Sequence, residues 1–526
     1  MTYDYIIVGA GSAGCVLANR LSTNPRNRVL LLEAGGRDWH PFIHMPAGIA
    51  KMVGNKGINW DYYTEPQAQL DNRRLWWPRG RVLGGSSSIN AMCYIRGDAR
   101  DYDEWAQLAG DARWRWPEVL PYFRRAEGNT RGADALHGND GPLAVQDLRS
   151  RNVLSQAFVD AALACGHPLN ADFNGSEQRG VGFYQVTQKD GARCSTAAGY
   201  LRPVRDRANL QVRTRAQTQR VLLDGGRAHG VVFKHRGRLE RAEAGEVILC
   251  GGAINSPQLL LLSGIGPAAH LREHGIDVAH DAPGVGANLQ DHLDICTLQQ
   301  CTQPVSYDRL SDIAVALKYL LRRDGPGTSN IAEGGGFVRT RLARDARCDL
   351  QLHFIPALLD DHGRNRLPGY GYTMHACMLR PNSRGTIRLQ SPNPDTKASI
   401  RPNYLSDAEG YDLAMLVEGV KLSREIFAAK PFDAYRGDEI FPGAATQTHA
   451  DIAAFIRRKA ETVYHPVGTC RMGSDADAVV DPELRVHGVA GLRVVDASVM
   501  PTLPGGNTNA PTVMIAERAA DFIAEG

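Results

Sequence analysis

Residues 3–23, "YDYIIVGAGSAGCVLANRLST", decide the fold. Tyr3 to Val8 read as a short buried strand, Gly9-Ala-Gly11-Ser12-Ala13-Gly14 spells G-x-G-x-x-G, and an amphipathic helical stretch follows. A loop merely rich in glycine could share that spacing, but strand, turn and helix in this order is the setting a dinucleotide-binding turn requires. Gly9 makes the tight turn and Gly11 lets the backbone approach a pyrophosphate. Gly14 allows close helix–strand packing, so the helix N-terminus faces the phosphates. A second strand, "RVLLLEAG", carries Glu33 nineteen residues after Gly14, where a carboxylate would accept hydrogen bonds from ribose hydroxyls. These features predict an α/β domain of Rossmann type. They do not separate NAD from FAD, although a fingerprint at the start of a long chain favours FAD.

At 526 residues the chain exceeds what one hydrophobic core usually supports, so two domains are expected. Hydrophobic residues at 43% and charged residues at 22% are those of an ordinary globular protein. The net charge is +3, from 60 Lys and Arg against 57 Asp and Glu, with no basic run, which argues against nucleic acid as a partner. No apolar run reaches the roughly 18 residues needed to cross a bilayer. The opening "MTYDYIIVGAG" enters a strand without a basic leader, so the expectation is a cytoplasmic protein, with peripheral contact at the inner membrane face left open. Ten cysteines at irregular spacing, without a CxxC pair or zinc-ligand spacing, read as reduced core residues, and no metal is expected.

Further along, "PRGRVLGGSSSINAM" (residues 78–92) offers many backbone and hydroxyl donors to a phosphate-bearing or flavin ligand. "GGAINSPQLLLLSGIG" (251–266), "GVGANLQDH" (284–292), "HPVGTCRMG" (465–473) and "VVDASVMP" (494–501) follow. With these on the page, the chain resembles, over essentially its whole length, the glucose-methanol-choline (GMC) family of flavoprotein oxidoreductases. The resemblance implies an α/β (α+β overall) fold: a discontinuous FAD-binding domain of Rossmann type, and a substrate domain whose antiparallel sheet roofs the flavin. Mapped here, the FAD-binding domain takes residues 1–150, 195–297 and 455–526, and the substrate domain residues 151–194 and 298–454. The residues themselves agree in part: "NLQVRTRAQTQRVLLDGGRAHGVVF" alternates as strands around a Gly-Gly turn.

The resemblance also implies site residues. For FAD these are Gly9, Gly11, Ser12, Ala13, Gly14, Glu33, Ala34, Trp60, Val82, Gly85, Ser86, Asn90, Ala91, Met92, Thr218, Asp496, Ala497, Asn509 and Thr512. Some members tether FAD through a histidine in the "GGSSS" loop; the matching residue here is Ile89, so FAD is expected to be noncovalent. Oxidation of an alcohol by a flavin needs a base for the hydroxyl proton while the carbon-bound hydrogen leaves as hydride toward N5. His465 matches the family's catalytic histidine, and Asn509 is taken as its partner on the alcohol oxygen. An amide does not titrate, so His465 alone can be the base. His353 and Val463 are expected to line the substrate pocket. The stretch "APTVMIAERAADFIAEG" reads as a terminal helix opening at Pro511, its N-terminus facing the negative charge of reduced flavin.

The expected reaction is FAD-dependent oxidation of a primary alcohol to the aldehyde. Electrons would pass to a quinone-like or other acceptor, or to O2 in an alcohol oxidase. Choline is the alternative substrate; it would need a carboxylate and an aromatic cage, and Glu333 in "SNIAEGGGF" is the candidate carboxylate. A catalytically silent FAD-binding scaffold would have lost the His/Asn pair, which is present.

Overall fold

The computed structural model describes residues 2–52 and 54–525. Two seven-stranded sheets organise these residues. In the first, Leu210–Thr214, Val29–Glu33, Thr2–Val8, Arg238–Leu249 and Leu492–Val494 run parallel in that order. Every residue of Val29–Glu33 is buried, because the strand lies inside the sheet between Leu210–Thr214 and Thr2–Val8, with the helix Ser12–Leu21 and the strand Ala216–Asp224 packed against it. Ala216–Asp224 and Arg227–His235 extend this sheet as an antiparallel hairpin. Its turn residues Gly225 and Gly226 both have positive φ (53° and 76°), the backbone a two-residue hairpin demands.

The second sheet is antiparallel, in the order Arg436–Phe441, Leu293–Cys301, Gly371–Met378, Leu350–Ile355, Gly334–Val338 and Gly180–Phe183. The Gly334–Gly336 run has a steric cause: a Cβ on Gly335 would meet the Tyr184 hydroxyl at 2.5 Å and the Leu352 carbonyl at 2.2 Å. The helix Tyr411–Ala428 backs this sheet, Gly419 lying directly on Ala376.

The expected segment boundaries need two adjustments. Leu293–Cys301 is one continuous strand across the 297/298 boundary, and Glu461–Thr462, assigned with the nucleotide-binding segments, pairs with Leu293 and Asp294 of the second sheet. That pairing brings the chain segment around residue 465 to the antiparallel sheet.

The terminal helix spans Asn509–Glu525, so it begins two residues before Pro511. The proline falls in the first turn, where its missing N–H costs no intrahelical bond. This helix packs along Ser12–Leu21. Between them Glu517 is fully buried, accepting from Arg20 Nε (2.9 Å) and Nη2 (2.7 Å), Tyr200 Oη (2.7 Å) and Arg125 Nε (2.8 Å). A buried carboxylate is tolerable only when its lone pairs are so occupied.

Candidate active site

The glycine turn behaves as its spacing predicts. A Cβ on Gly14 would lie 1.9 Å from the Gly9 carbonyl oxygen, so helix and strand touch there and only glycine fits. A Cβ on Gly11, by contrast, would stand in open space with Gly85 Cα, at 4.0 Å, its nearest neighbour. That space belongs to a cavity of about 480 Å3 that runs from the glycine turn to the antiparallel sheet.

Nearly all the residues expected at the cofactor line this cavity: Gly9, Gly11, Ser12 and Ala13 in the turn, Glu33 and Ala34 after the second strand, and Trp60. Gly85, Ser86, Asn90, Ala91 and Met92 of the serine loop do so too, with Thr218, Asp496, Ala497, Asn509 and Thr512. Two do not. Gly14 serves packing, as above, and Val82 is buried in a small cluster with Ile43, Met52 and Ile58. The serine loop sits directly on the glycine turn, since a Cβ on Gly85 would come 2.7 Å from Gly11 Cα.

Glu33 is buried, and its two oxygens accept from Ala10 N (2.9 Å) and Gly35 N (2.7 Å). Burial pushes its pKa up to about 7, against the pull of those two amides and Arg81. Trp60 is stacked on Tyr62 and covered by the Arg81 guanidinium 4.6 Å from its ring. The Thr218 hydroxyl, on the cavity wall, is buried without a protein partner. An open cradle at Gly11, a carboxylate at the ribose position and a hydroxyl awaiting a partner together fit a dinucleotide such as FAD. Ile89 lines the same cavity and offers no atom for a covalent link.

At the far end stands His465. The backbone before it is held in an unusual shape: Tyr464 has φ 70°, and the His465 N–H donates to Asp291 Oδ1 at 2.8 Å. The other oxygen of Asp291 accepts from Thr462 Oγ1 (2.6 Å) and from the Tyr404 hydroxyl. The imidazole is fixed by a second histidine that sequence reasoning passed over, His292 at the end of "GVGANLQDH". His292 Nε2 lies 3.1 Å from the Leu379 carbonyl, and the two Nδ1 atoms of His292 and His465 are 2.9 Å apart.

A carbonyl can only accept, so the proton of neutral His292 is on Nε2 and its Nδ1 is bare. Nδ1 of His465 must then donate to it, which leaves His465 Nε2 with a free lone pair. Burial lowers His292 to about 3, and burial, then His292, His353 and Arg79, hold His465 well below the usual 6.5, so both rings are neutral.

The amide that meets this lone pair is Asn507, not Asn509. Asn507 Nδ2 lies 3.2 Å from His465 Nε2, and its Oδ1 accepts from Gln351 Nε2 at 3.0 Å, which fixes which end of the amide faces the histidine. Asn509 is already the first residue of the terminal helix, and its Oδ1 accepts from Ser12 Oγ at 2.7 Å. Two asparagines two residues apart thus have different partners: one reaches His465, and the other ties the helix to the glycine turn. The Asn507 loop can come so close because Gly506 has no side chain; a Cβ there would stand 2.4 Å from Ile95. Sequence reading could have weighed both asparagines of "GGNTNAP", but only the helix start tells them apart.

His353 and Val463 both line the cavity. His353 Nδ1 is buried and unpartnered, and burial, with His375 and His292 nearby, lowers the ring to about 3. His375, opposite His353 in the strand register, also faces the cavity and bonds Asp294 through Nδ1. Around them the lining mixes apolar Ile331, Ala332, Ile355 and Leu359 with Asn330, Thr462, Tyr464 and His362.

Glu333 does not supply the carboxylate that choline would need. It is fully buried outside the cavity wall, accepting from Asn152 N (2.7 Å), Ser155 Oγ (2.7 Å), Tyr307 Oη (2.6 Å) and Ser329 Oγ (2.6 Å). All ten cysteines are free, and the second sheet brings Cys296 within 3.2 Å of His375 Nδ1, a grouping that spacing along the chain does not reveal.

Family models described as "GMC oxidoreductase" match residues 3–294 and 381–516. The chain is 52% identical to the alcohol dehydrogenase [acceptor] of Pseudomonas putida, over 99% of this chain and 95% of the relative. It is 47% identical to the mitochondrial choline dehydrogenase of Homo sapiens, over 99% and 89%. Among solved structures, a variant of Aspergillus oryzae formate oxidase studied for its FAD modification superposes with a TM-score of 0.93 at 27% identity, covering 100% of this chain and 98% of that one.

Proposed function

The chain belongs to the GMC oxidoreductase family and is an FAD-dependent oxidoreductase of alcohols, and from that premise we propose that it oxidises an uncharged primary alcohol to the aldehyde, with His465 as the base. The observation that carries this reading is the bare Nε2 of a neutral, buried His465, turned to the Asn507 amide at the far end of the cofactor cavity.

An alcohol entering between these two groups replaces their mutual contact: its O–H donates to His465 Nε2 and its oxygen accepts from Asn507 Nδ2. As the carbon–hydrogen bond weakens, the oxygen gains negative character. His465 relieves it by taking the proton, and the Asn507 N–H stabilises what remains. The glycine turn, Glu33 and the serine loop would hold FAD noncovalently, and FAD so bound would supply the two-electron acceptor for the carbon-bound hydrogen.

The His292 Nδ1 lone pair then faces the Nδ1–H of a positively charged His465 and stabilises it. Ile331, Ile355 and Leu359 favour an aliphatic or aromatic chain and exclude water from the base. Choline is disfavoured because Glu333 is occupied elsewhere and Asp294 is paired with His375. A small-molecule acceptor, quinone-like or O2, takes the electrons onward.

The test is anaerobic mixing of the yellow holoenzyme with aliphatic primary alcohols, benzyl alcohol and choline in turn. Bleaching of the flavin band should be fastest with an uncharged alcohol; fastest bleaching by choline would overturn the reading.

A further inference from the structure

One surface helix shows water what a helix normally hides. Asp312–Arg322 buries Tyr319, yet Ile313, Leu317, Leu320 and Leu321 are 74%, 54%, 71% and 80% exposed, and Leu310 just before it is 42% exposed. At 100° per residue the four helical positions fall within an arc of about 100°, the width of a face meant to be covered. Around it stand Arg309, Lys318, Arg322 and Arg323, and the acids at the two ends of the helix are already paired, Asp312 with Lys51 at 2.6 Å and Asp324 with Lys318 at 3.9 Å. The helix is anchored to the segment before the cavity: Tyr319 Oη donates to the His44 carbonyl at 3.0 Å. That same segment exposes Trp39 (73%) and sends Ile49 and Ala50 into the cavity wall.

We propose that the helix Asp312–Arg322 with its flanking arginines is an interfacial membrane anchor that lays this face of the enzyme on an anionic phospholipid bilayer. At about 1.5 Å per residue its 11 residues reach only half way across the hydrocarbon, so it lies in the interface rather than spanning it. Charge selects the occupant. A second copy of the chain would bring the same cationic rim against itself in a two-fold contact, whereas anionic headgroups complement the rim while the acyl boundary receives the leucines. Because the helix is docked on the cavity-wall segment, the anchor would set the active site beside the bilayer, where long-chain alcohols and quinone-like acceptors concentrate. The proposal stands apart from the chemistry assigned to His465.

Flotation of the holoenzyme with phosphatidylethanolamine vesicles containing phosphatidylglycerol, beside vesicles of phosphatidylcholine alone, tests it. The parent should float with the anionic vesicles, bind the neutral ones at least about tenfold less, and be released by salt. Leu320→Glu combined with Leu321→Glu should lower anionic binding by about tenfold or more, and Lys318→Glu with Arg322→Glu by about fivefold per charge or more. Flavin content and activity with a soluble dye acceptor should stay at parental values in both. Leu239→Glu, on a 70% exposed leucine of the strand Arg238–Leu249, should bind like the parent and serves as the folded control. A parent that stays with neither vesicle, a leucine variant that binds unchanged, or a parent dimer that the leucine variant turns into monomer would each overturn the proposal.

Discussion

The two ends of the cavity are built on different principles. The cofactor end is made largely of main chain: a glycine turn, a helix N-terminus and a serine loop pressed onto it, with Glu33 as its principal charged side chain. The other end is made of side chains drawn from distant places in the chain: His353, His465 and Asn507 on the wall, with His292 buried behind His465. Main-chain recognition needs particular backbone shapes, which leave glycine signatures at fixed spacing. Side-chain recognition needs only that the fold bring the right groups together, and it leaves almost no local signature.

The largest effect that separates the two ends should come from the base. His465→Ala should retain FAD, with a parental flavin spectrum, and lose roughly 10²- to 10⁴-fold in anaerobic flavin reduction, the usual worth of a general base. Loss of FAD in step with activity would instead make His465 a structural part of the cofactor end.

The next contrast is between neighbours. Asn507→Ala should lower flavin reduction at saturating alcohol by about tenfold or more, because the lost donor matters most as the alcohol oxygen gains charge. Asn509→Ala should leave that rate within about threefold. Its cost should appear in the melting temperature or in FAD retention, since Asn509 holds Ser12 and the helix start, a contact of about 1 kcal/mol. Rapid-mixing rates beside melting curves distinguish them, and the reverse pattern would return the catalytic role to Asn509.

The smallest effect belongs to Glu33. Ribose hydroxyls donate to the ionised carboxylate, so FAD binding favours deprotonation and lowers the group from its value of about 7. FAD affinity of the stripped protein should therefore be level above about pH 7 and fall by up to about tenfold per pH unit below it. Glu33→Gln should bind more weakly and lose that slope. Fluorescence titrations with FAD across the pH range read both.

Legibility followed the same division. The glycine turn, Glu33, the serine loop and the hairpin at Gly225–Gly226 were readable because each is a local pattern with a backbone reason. His465 was readable through the resemblance of its loop. Asn507 was not singled out: the resemblance of the loop points to Asn509, and only the fold shows that the side chain two residues earlier reaches His465. His292 was not legible, since nothing in "LQDHL" shows that its ring will meet a histidine 173 residues away. The fate of Glu333 was equally hidden: its four donors come from segments as far apart as Asn152 and Ser329.

The most direct test of His465 as a neutral base is the pH dependence of anaerobic flavin reduction by a saturating primary alcohol. His465 accepts a proton only in its neutral form, and its pKa is held well below the usual 6.5, so the rate should stay level down through pH 6.5 and fall only under more acidic conditions. A parental profile with an acid limb at or above 6.5 that vanishes in His465→Ala would show a solvated, ordinarily titrating histidine and would contradict the buried, His292-oriented base.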